Sequence, residues 1–223
     1  MHYLKKLKLT TAGFGLVATL SATGVAAETL NYAIGFPPGG AATDGIKEFN
    51  ELLSAEGDVK LKVFELSLLN LKETAPGVRD GLADAGYVIT AYYPAEFSEI
   101  NLPAEMSMLT NIGTPPKSSG AVMAGVITEY AMLHCLDCQA QFKRENQVFL
   151  GAMGTSEYVS LCTSPIRAAE DLKGKKMRSS IAAMGRWAES FGGTKVSLPA
   201  NDIYEAMSQG VVDCAMISAP ELG

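Results

Sequence analysis

Side chains that carry out chemistry are scarce in this sequence. It has 2 histidines, His2 and His134, and only the second lies beyond the amino-terminal segment. No G-x-S-x-G nucleophile turn and no helix-spaced set of metal ligands occurs, so the common hydrolase and metalloenzyme patterns find no residues to occupy. No metal and no cofactor is expected. Basic charge is short as well. The chain carries 18 Lys+Arg against 24 Asp+Glu, a net charge of −6, whereas nucleic-acid binders present a basic face. Past the amino terminus, no uncharged apolar run approaches the roughly 20 residues needed to span a bilayer. The longest, residues 121–133, is broken by Thr128 and Glu129 and reads as a buried helix.

The first 27 residues read as an export signal. Lys5, Lys6 and Lys8 form a basic start, an apolar and small-residue run follows, and Val25-Ala26-Ala27 offers a cleavage site before Glu28. A retained membrane anchor is the competing reading. Cleavage would remove three lysines and no acid, leaving a net charge of −9 on about 200 residues, enough for one large or two small domains.

Four cysteines in an exported chain point first to disulfides. Cys135 and Cys138 form a C-x-x-C, while Cys162 and Cys214 stand alone. The expected pairs are Cys135–Cys138 and Cys162–Cys214. A redox-active C-x-x-C, in an exported thiol-disulfide protein or hydrolase, stays open as the alternative function. So does a zinc site built from His134 and the cysteines.

Along the chain, residues 28–35 (ETLNYAIG) read as a strand that stops at Phe36-Pro37-Pro38-Gly39-Gly40. A loop of that kind, at the carboxyl end of a strand, is where open α/β sheets place ligands. Thr43 or Asp44 can cap a helix whose apolar face is Ile46, Phe49, Leu52 and Leu53. Residues 60–66 (KLKVFEL) alternate as a second strand. Residues 68–81 read as two short helices broken at Pro76-Gly77. Residues 83–90 (ADAGYVIT) give a third strand, ending among Tyr87, Thr90, Tyr92 and Tyr93. Residues 101–108 and 113–120 read as turns, and 147–152 and 158–163 as further strands. The pattern places a crossover between two series of strands and helices near residues 153–156.

Residues 165–218 carry the clearest pattern. Three short strands (176–180, 195–198, 211–217) alternate with helices over 182–191 and 202–209, the second capped by Asn201. This is a β-α-β-α-β unit whose strands should run parallel. Arg178 lies at the end of its first strand, where a guanidinium can hold a carboxylate through two parallel hydrogen bonds. A surface ion pair with a neighbouring acid is the plainer reading.

This block resembles the second lobe of the substrate-binding proteins of the tripartite ATP-independent periplasmic (TRAP) transporters. The resemblance rests on Ile166, Glu170-Asp171-Leu172-Lys173-Gly174-Lys175-Lys176-Met177-Arg178, Gly192-Gly193, Val196-Ser197-Leu198-Pro199, Tyr204-Glu205-Ala206-Met207 and Gly210-Val211-Val212-Asp213. It implies a bilobed periplasmic-binding-protein-like α/β fold with largely parallel sheets, closing on a small organic acid with Arg178 on its carboxylate. It also implies integral-membrane TRAP subunits as partners, a periplasmic location, a monomer, and no catalysis. The implied organisation is a signal at 1–27, a first lobe at 28–153, a partial second lobe at 154–218, and the start of a return crossover at 219–223. Family members continue further, so the resemblance implies a missing carboxyl-terminal part. Sialate-binding members carry an arginine where this chain has Tyr158, and an asparagine where it has Ile217 beside Ser218. That implies a less polar ligand than sialate. Cys214 stands where the family usually has glycine, which supports its pairing with Cys162. The expected ligand-contacting set is Arg178, Tyr158, Phe36, Thr90 and Ser218.

Overall fold

A computed structural model of the chain describes residues 28–155 and 157–218. The export signal at 1–27 and the return crossover at 219–223 lie outside the described residues, as does Ser156 of the crossover read at 153–156. Two α/β units are built on separate sheets. In the first, β1 (Glu28–Ile34) lies between β2 (Val59–Glu65) and β3 (Ala85–Gly86), all parallel. In the second, β4 (Tyr158–Cys162), β7 (Cys214–Ser218), β5 (Lys176–Ser179) and β6 (Thr194–Ser197) lie side by side in that order. β5, β6 and β7 are parallel, and β4 runs antiparallel against β7. The mixed α/β architecture with mainly parallel sheets follows the reading from sequence.

Helix α1 (Ala41–Glu56) begins two residues before the expected cap. Gly40 holds the cap position, and Thr43 in the first turn satisfies it instead: the Gly40 amide donates to Thr43 Oγ1 at 3.1 Å and that hydroxyl donates to the Gly40 carbonyl at 2.8 Å. Two residues expected on the buried face, Phe49 and Leu52, are exposed. The helix is tied to β2 through Asn50, whose side chain accepts from the Leu61 amide at 2.6 Å and donates to the Leu61 carbonyl at 3.0 Å. Those two bonds satisfy backbone groups that an edge strand otherwise presents to solvent.

Several local expectations are corrected. Pro76 and Gly77 do not break a helix. They lie inside α2 (Thr74–Arg79), with Pro76 in the first turn, where amide groups have no intrahelical acceptor to lose. The third strand pairs only over Ala85–Gly86, and Thr90–Tyr92 already forms a 3₁₀ turn. Gly86 is required there, since a Cβ would come within 2.6 Å of Thr74 Cγ2. Residues 101–108 are not turns. Helix α3 (Ser98–Glu105) runs through Pro103 and is followed by a 3₁₀ turn at Ser107–Asn111. Residues 147–152 join no ladder, and Val148 and Leu150 are exposed. Side chains hold this segment instead: Gln147 Nε2 donates to the Ala75 carbonyl at 2.7 Å, and the Ala152 amide donates to Thr128 Oγ1 at 2.9 Å.

Helix α4 (Ser119–Glu129) passes into a π turn at Tyr130–His134, and α5 (Leu136–Arg144) then leaves at an angle of 89°. The Cys135–Cys138 disulfide staples that corner, with Cys135 capping α5 by accepting the Cys138 amide at 3.0 Å. Both sulfurs belong to a core with Phe97, Ile100, Ala131 and Phe142. No single described helix is long and apolar enough to cross a membrane.

In the second unit, α6 (Ala182–Ser190) covers one face of the sheet, over Leu172, Met177, Cys214 and Met216. Helix α7 (Ile203–Ser208) covers the other face over Ala215 and Ile217. The Cys162–Cys214 disulfide joins directly opposed residues of β4 and β7. The Asp171 carboxylate accepts the Arg167 and Ala168 amides at 2.8 and 3.1 Å, closing the turn at Ala169–Leu172. Those two bonds hold its pKa below the ordinary carboxylate value.

Candidate ligand site between the two units

Arg178 sits in β5 opposite Ala215 of β7 and is 1% exposed. The β5–β7 ladder holds only two pairs, Met177–Cys214 and Arg178–Ala215, and beyond them the guanidinium satisfies the backbone. Its Nη1 donates to the Met216 carbonyl at 2.9 Å, and its Nε donates to the Leu198 carbonyl at 2.9 Å. Nη2 reaches across to the first unit and donates to Tyr92 Oη at 3.1 Å. None of the ion pairs among the described residues includes Arg178, which corrects the surface ion-pair reading. Three neutral acceptors therefore face a guanidinium with five N–H donors.

The same seam carries further bonds between the units. The Ala200 amide donates to Tyr92 Oη at 2.9 Å. Asn201 Nδ2 donates to the Gly35 carbonyl at 3.1 Å, and its Oδ1 accepts the Leu71 amide at 3.3 Å. Asn201 is therefore not the helix cap that the sequence suggested. Asp202 takes that position, and the Asn201 amide group bridges to the end of β1. Gly35 allows this approach, because a Cβ there would come within 2.3 Å of the Leu71 nitrogen. A second bridge is formed by Glu105 at the end of α3. Its two oxygens accept the Ala182 and Ala183 amides at 2.8 and 2.5 Å, and Arg186 Nη2 lies 3.2 Å away. A carboxylate from one unit thus occupies the positive end of α6 in the other.

The other anticipated residues are dispersed. Tyr158 and Ser218 are partners across the β4–β7 ladder, Ser218 being 1% exposed. Phe36 packs edge-on against Tyr87, with ring centres 5.5 Å apart. The Thr90 hydroxyl donates to Asn101 Oδ1 at 2.6 Å within the first unit. A cleft of about 460 Å³ opens between α3, α4, β4 and the start of α6, and of the five residues only Tyr158 lines it. Tyr92, Asn201 and Glu105 were not singled out as site residues. Their visible signal was position alone: Tyr92 and Asn201 each follow the carboxyl end of a strand.

All four cysteines are bonded in disulfides. The zinc reading is left with His134, which is exposed, and among the described residues no cluster of three His, Cys, Asp or Glu could hold a metal. Cys135 and Cys138 are 6% and 0% exposed, which closes them to an exchanging thiol.

The family model for the bacterial extracellular solute-binding proteins, family 7, matches residues 35–221. A curated solute-binding protein of Albidiferax ferrireducens is 22% identical, over 88% of this chain and 61% of that protein. A TRAP solute-binding protein from Rhodoferax ferrireducens, solved with copurified benzoate, matches with a TM-score of 0.71 at 23% identity over 87% of this chain and 59% of its own. A Bordetella bronchiseptica TRAP protein with bound (R)- and (S)-mandelate matches with a TM-score of 0.69 at 22% identity, over 87% and 59% of the two chains. One from Citrobacter koseri with D-glucuronate reaches 0.62 at 19%, over 85% and 62%. The chain thus spans about three fifths of the length of these relatives. On the family match over 35–221, and with the α/β fold of the TRAP solute-binding proteins, the chain belongs to the bacterial extracellular solute-binding proteins of family 7.

Proposed function

We propose that this protein is a periplasmic receptor that captures a small organic acid between two lobes, residues 28–153 and 154–218, and hands it to integral-membrane TRAP subunits. The observation that carries this reading is Arg178: a buried guanidinium held by neutral acceptors, with no ion-pair partner among the described residues. Removing such a charge from water costs several kcal/mol, and neutral acceptors offset only part of that cost. A carboxylate supplies the missing partner, and one N–H on each terminal nitrogen is left for its two oxygens. The location fits as well, because the seat lies beyond the carboxyl ends of β1, β5 and β6, where α/β sheets gather ligands.

Uptake requires the lobes to part. The Tyr92–Arg178 and Asn201–Gly35 bonds are the contacts that would break, and re-forming them around the acid would exclude water and strengthen the ion pair. Tyr158 and Ser218 would flank the acid from β4 and β7, with Phe36 and Thr90 placed on the opposing lobe. The benzoate, mandelate and glucuronate held by the related structures are all carboxylates, in keeping with this role. No chemical step is assigned to the protein, nor a cofactor, and it is taken to act as a monomer exported by its signal at 1–27.

Calorimetric titration of the chain with a panel of organic acids tests the reading. At least one acid should bind, and Arg178→Lys, which keeps the charge and loses the planar fork, should weaken it by about 2 kcal/mol or more, roughly 30-fold. Equal affinity in the variant would overturn the assignment of Arg178.

A further inference from the structure

We propose that the acid is a monocarboxylate with an apolar, ring-bearing body, and that this body lies in the methionine-lined cleft. The inference rests on Arg178 holding the carboxylate and adds what must be attached to it. The cleft, about 460 Å³, is in the range of small-molecule sites. Its walls include Met108, Met123, Met153, Met184 and Met216, half of the 10 methionines in the chain, together with Trp187. Thioether side chains are flexible and polarisable, and they favour contact with aromatic rings; the indole adds a flat apolar face.

Met216 connects this cleft to the carboxylate seat. Its carbonyl accepts from Arg178 Nη1 at 2.9 Å, while the residue itself forms part of the cleft wall. The β5–β7 ladder stops at the Arg178–Ala215 pair, and Arg178 and Met216 leave the sheet on opposite faces. The route from the seat to the cleft runs around the carboxyl end of β5, where Ser180 and Ile181 line the cleft. A ligand anchored at Arg178 with a short tether would therefore place its body among the methionines.

Charge sets the second limit. Among the described residues no lysine or arginine lines the cleft, and Glu157 is the only charged one in its wall. A second carboxylate on the ligand would be desolvated beside an acid, with no cation to meet it, so dicarboxylates are disfavoured. Hydroxyl groups of a sugar acid would face a surface that is mainly apolar.

Trp187 is the only tryptophan in the chain and so reports from inside the site. The chain is titrated with phenylacetate, succinate and gluconate, followed by calorimetry and by indole fluorescence. Phenylacetate should bind at least tenfold more tightly than either competitor and should change the Trp187 emission. Glu157→Gln should narrow the gap between succinate and phenylacetate, and Met184→Gln should weaken phenylacetate several-fold. If succinate or gluconate binds as tightly as phenylacetate, this inference falls while the role of Arg178 stands. Phenylacetate binding that leaves the indole emission unmoved also overturns it, because the ring then lies elsewhere. If none of the three acids binds and no other carboxylate does, both readings fall together.

Discussion

Arg178 and the two disulfides show how differently single residues weigh in this chain. Cys162 and Cys214 are 52 positions apart, whereas Cys135 and Cys138 are three apart. On the loop-entropy account, the longer closure restricts the unfolded chain far more, by about 4 kcal/mol against about 2 kcal/mol for the short one. Replacing Cys162 and Cys214 by serine should therefore lower the urea midpoint markedly, and more than the same change at Cys135 and Cys138. Equal losses would mean that the short disulfide holds the α4–α5 corner through native packing, beyond its effect on the unfolded chain. The local sequence offered two readings of Arg178, a carboxylate receptor and a surface ion pair, because a lone arginine at a strand end suits either. Its burial was not readable, because the acceptors that hold it come from residues 20, 38 and 86 positions away.

Among the elements, α6 shows what a helix end can do across a seam. Glu105 satisfies two of its first amides and pairs with Arg186. Glu105→Gln should retain some of the hydrogen bonding but lose the charge, weakening the join by about 1 kcal/mol. The expected readout is faster amide exchange at Ala182 and Ala183, with the exchange of β1 unaffected. Unchanged protection at the start of α6 would remove Glu105 from this role. The same scale shows where local patterns mislead. The β5-α6-β6-α7-β7 series was legible because each strand and helix is bounded by its own glycine or cap and packs against its sequence neighbours. Residues 83–90 and 147–152 looked equally strand-like, yet almost none of them pairs, because pairing depends on a distant edge being available. Asn201 was misread for a related reason. A good cap side chain also makes a good bridge, and the distant Gly35 carbonyl and Leu71 amide won it.

At the scale of the whole molecule, two α/β units meet through a small number of directed polar bonds. Tyr92 and Asn201 contribute most of those near Arg178. If each is worth about 1 kcal/mol net, the double variant Tyr92→Phe, Asn201→Ala should shift the balance between closed and open forms by roughly 30-fold. Small-angle scattering of the ligand-free protein should then show a larger radius of gyration than the parent. Identical scattering curves would mean that other contacts hold the units together. The two-unit plan was visible in the alternation of strands and helices, whereas the seam was not. Its bonds join residues more than 70 positions apart and carry no local period.

The antiparallel pairing of β4 with β7 has a consequence for the order in which the molecule assembles. As the chain emerges, β4 precedes β7, its only partner among the described residues, by some 50 residues, and β5, α6 and β6 are made before that partner arrives. Until then Val159 and Leu161 lie on an unpaired strand, the kind of surface that invites intermolecular association. Cys162 faces the same wait, so oxidation of the long disulfide reports the pairing of β4 with β7, and a chain arrested before β7 would present a free thiol beside a bare strand edge.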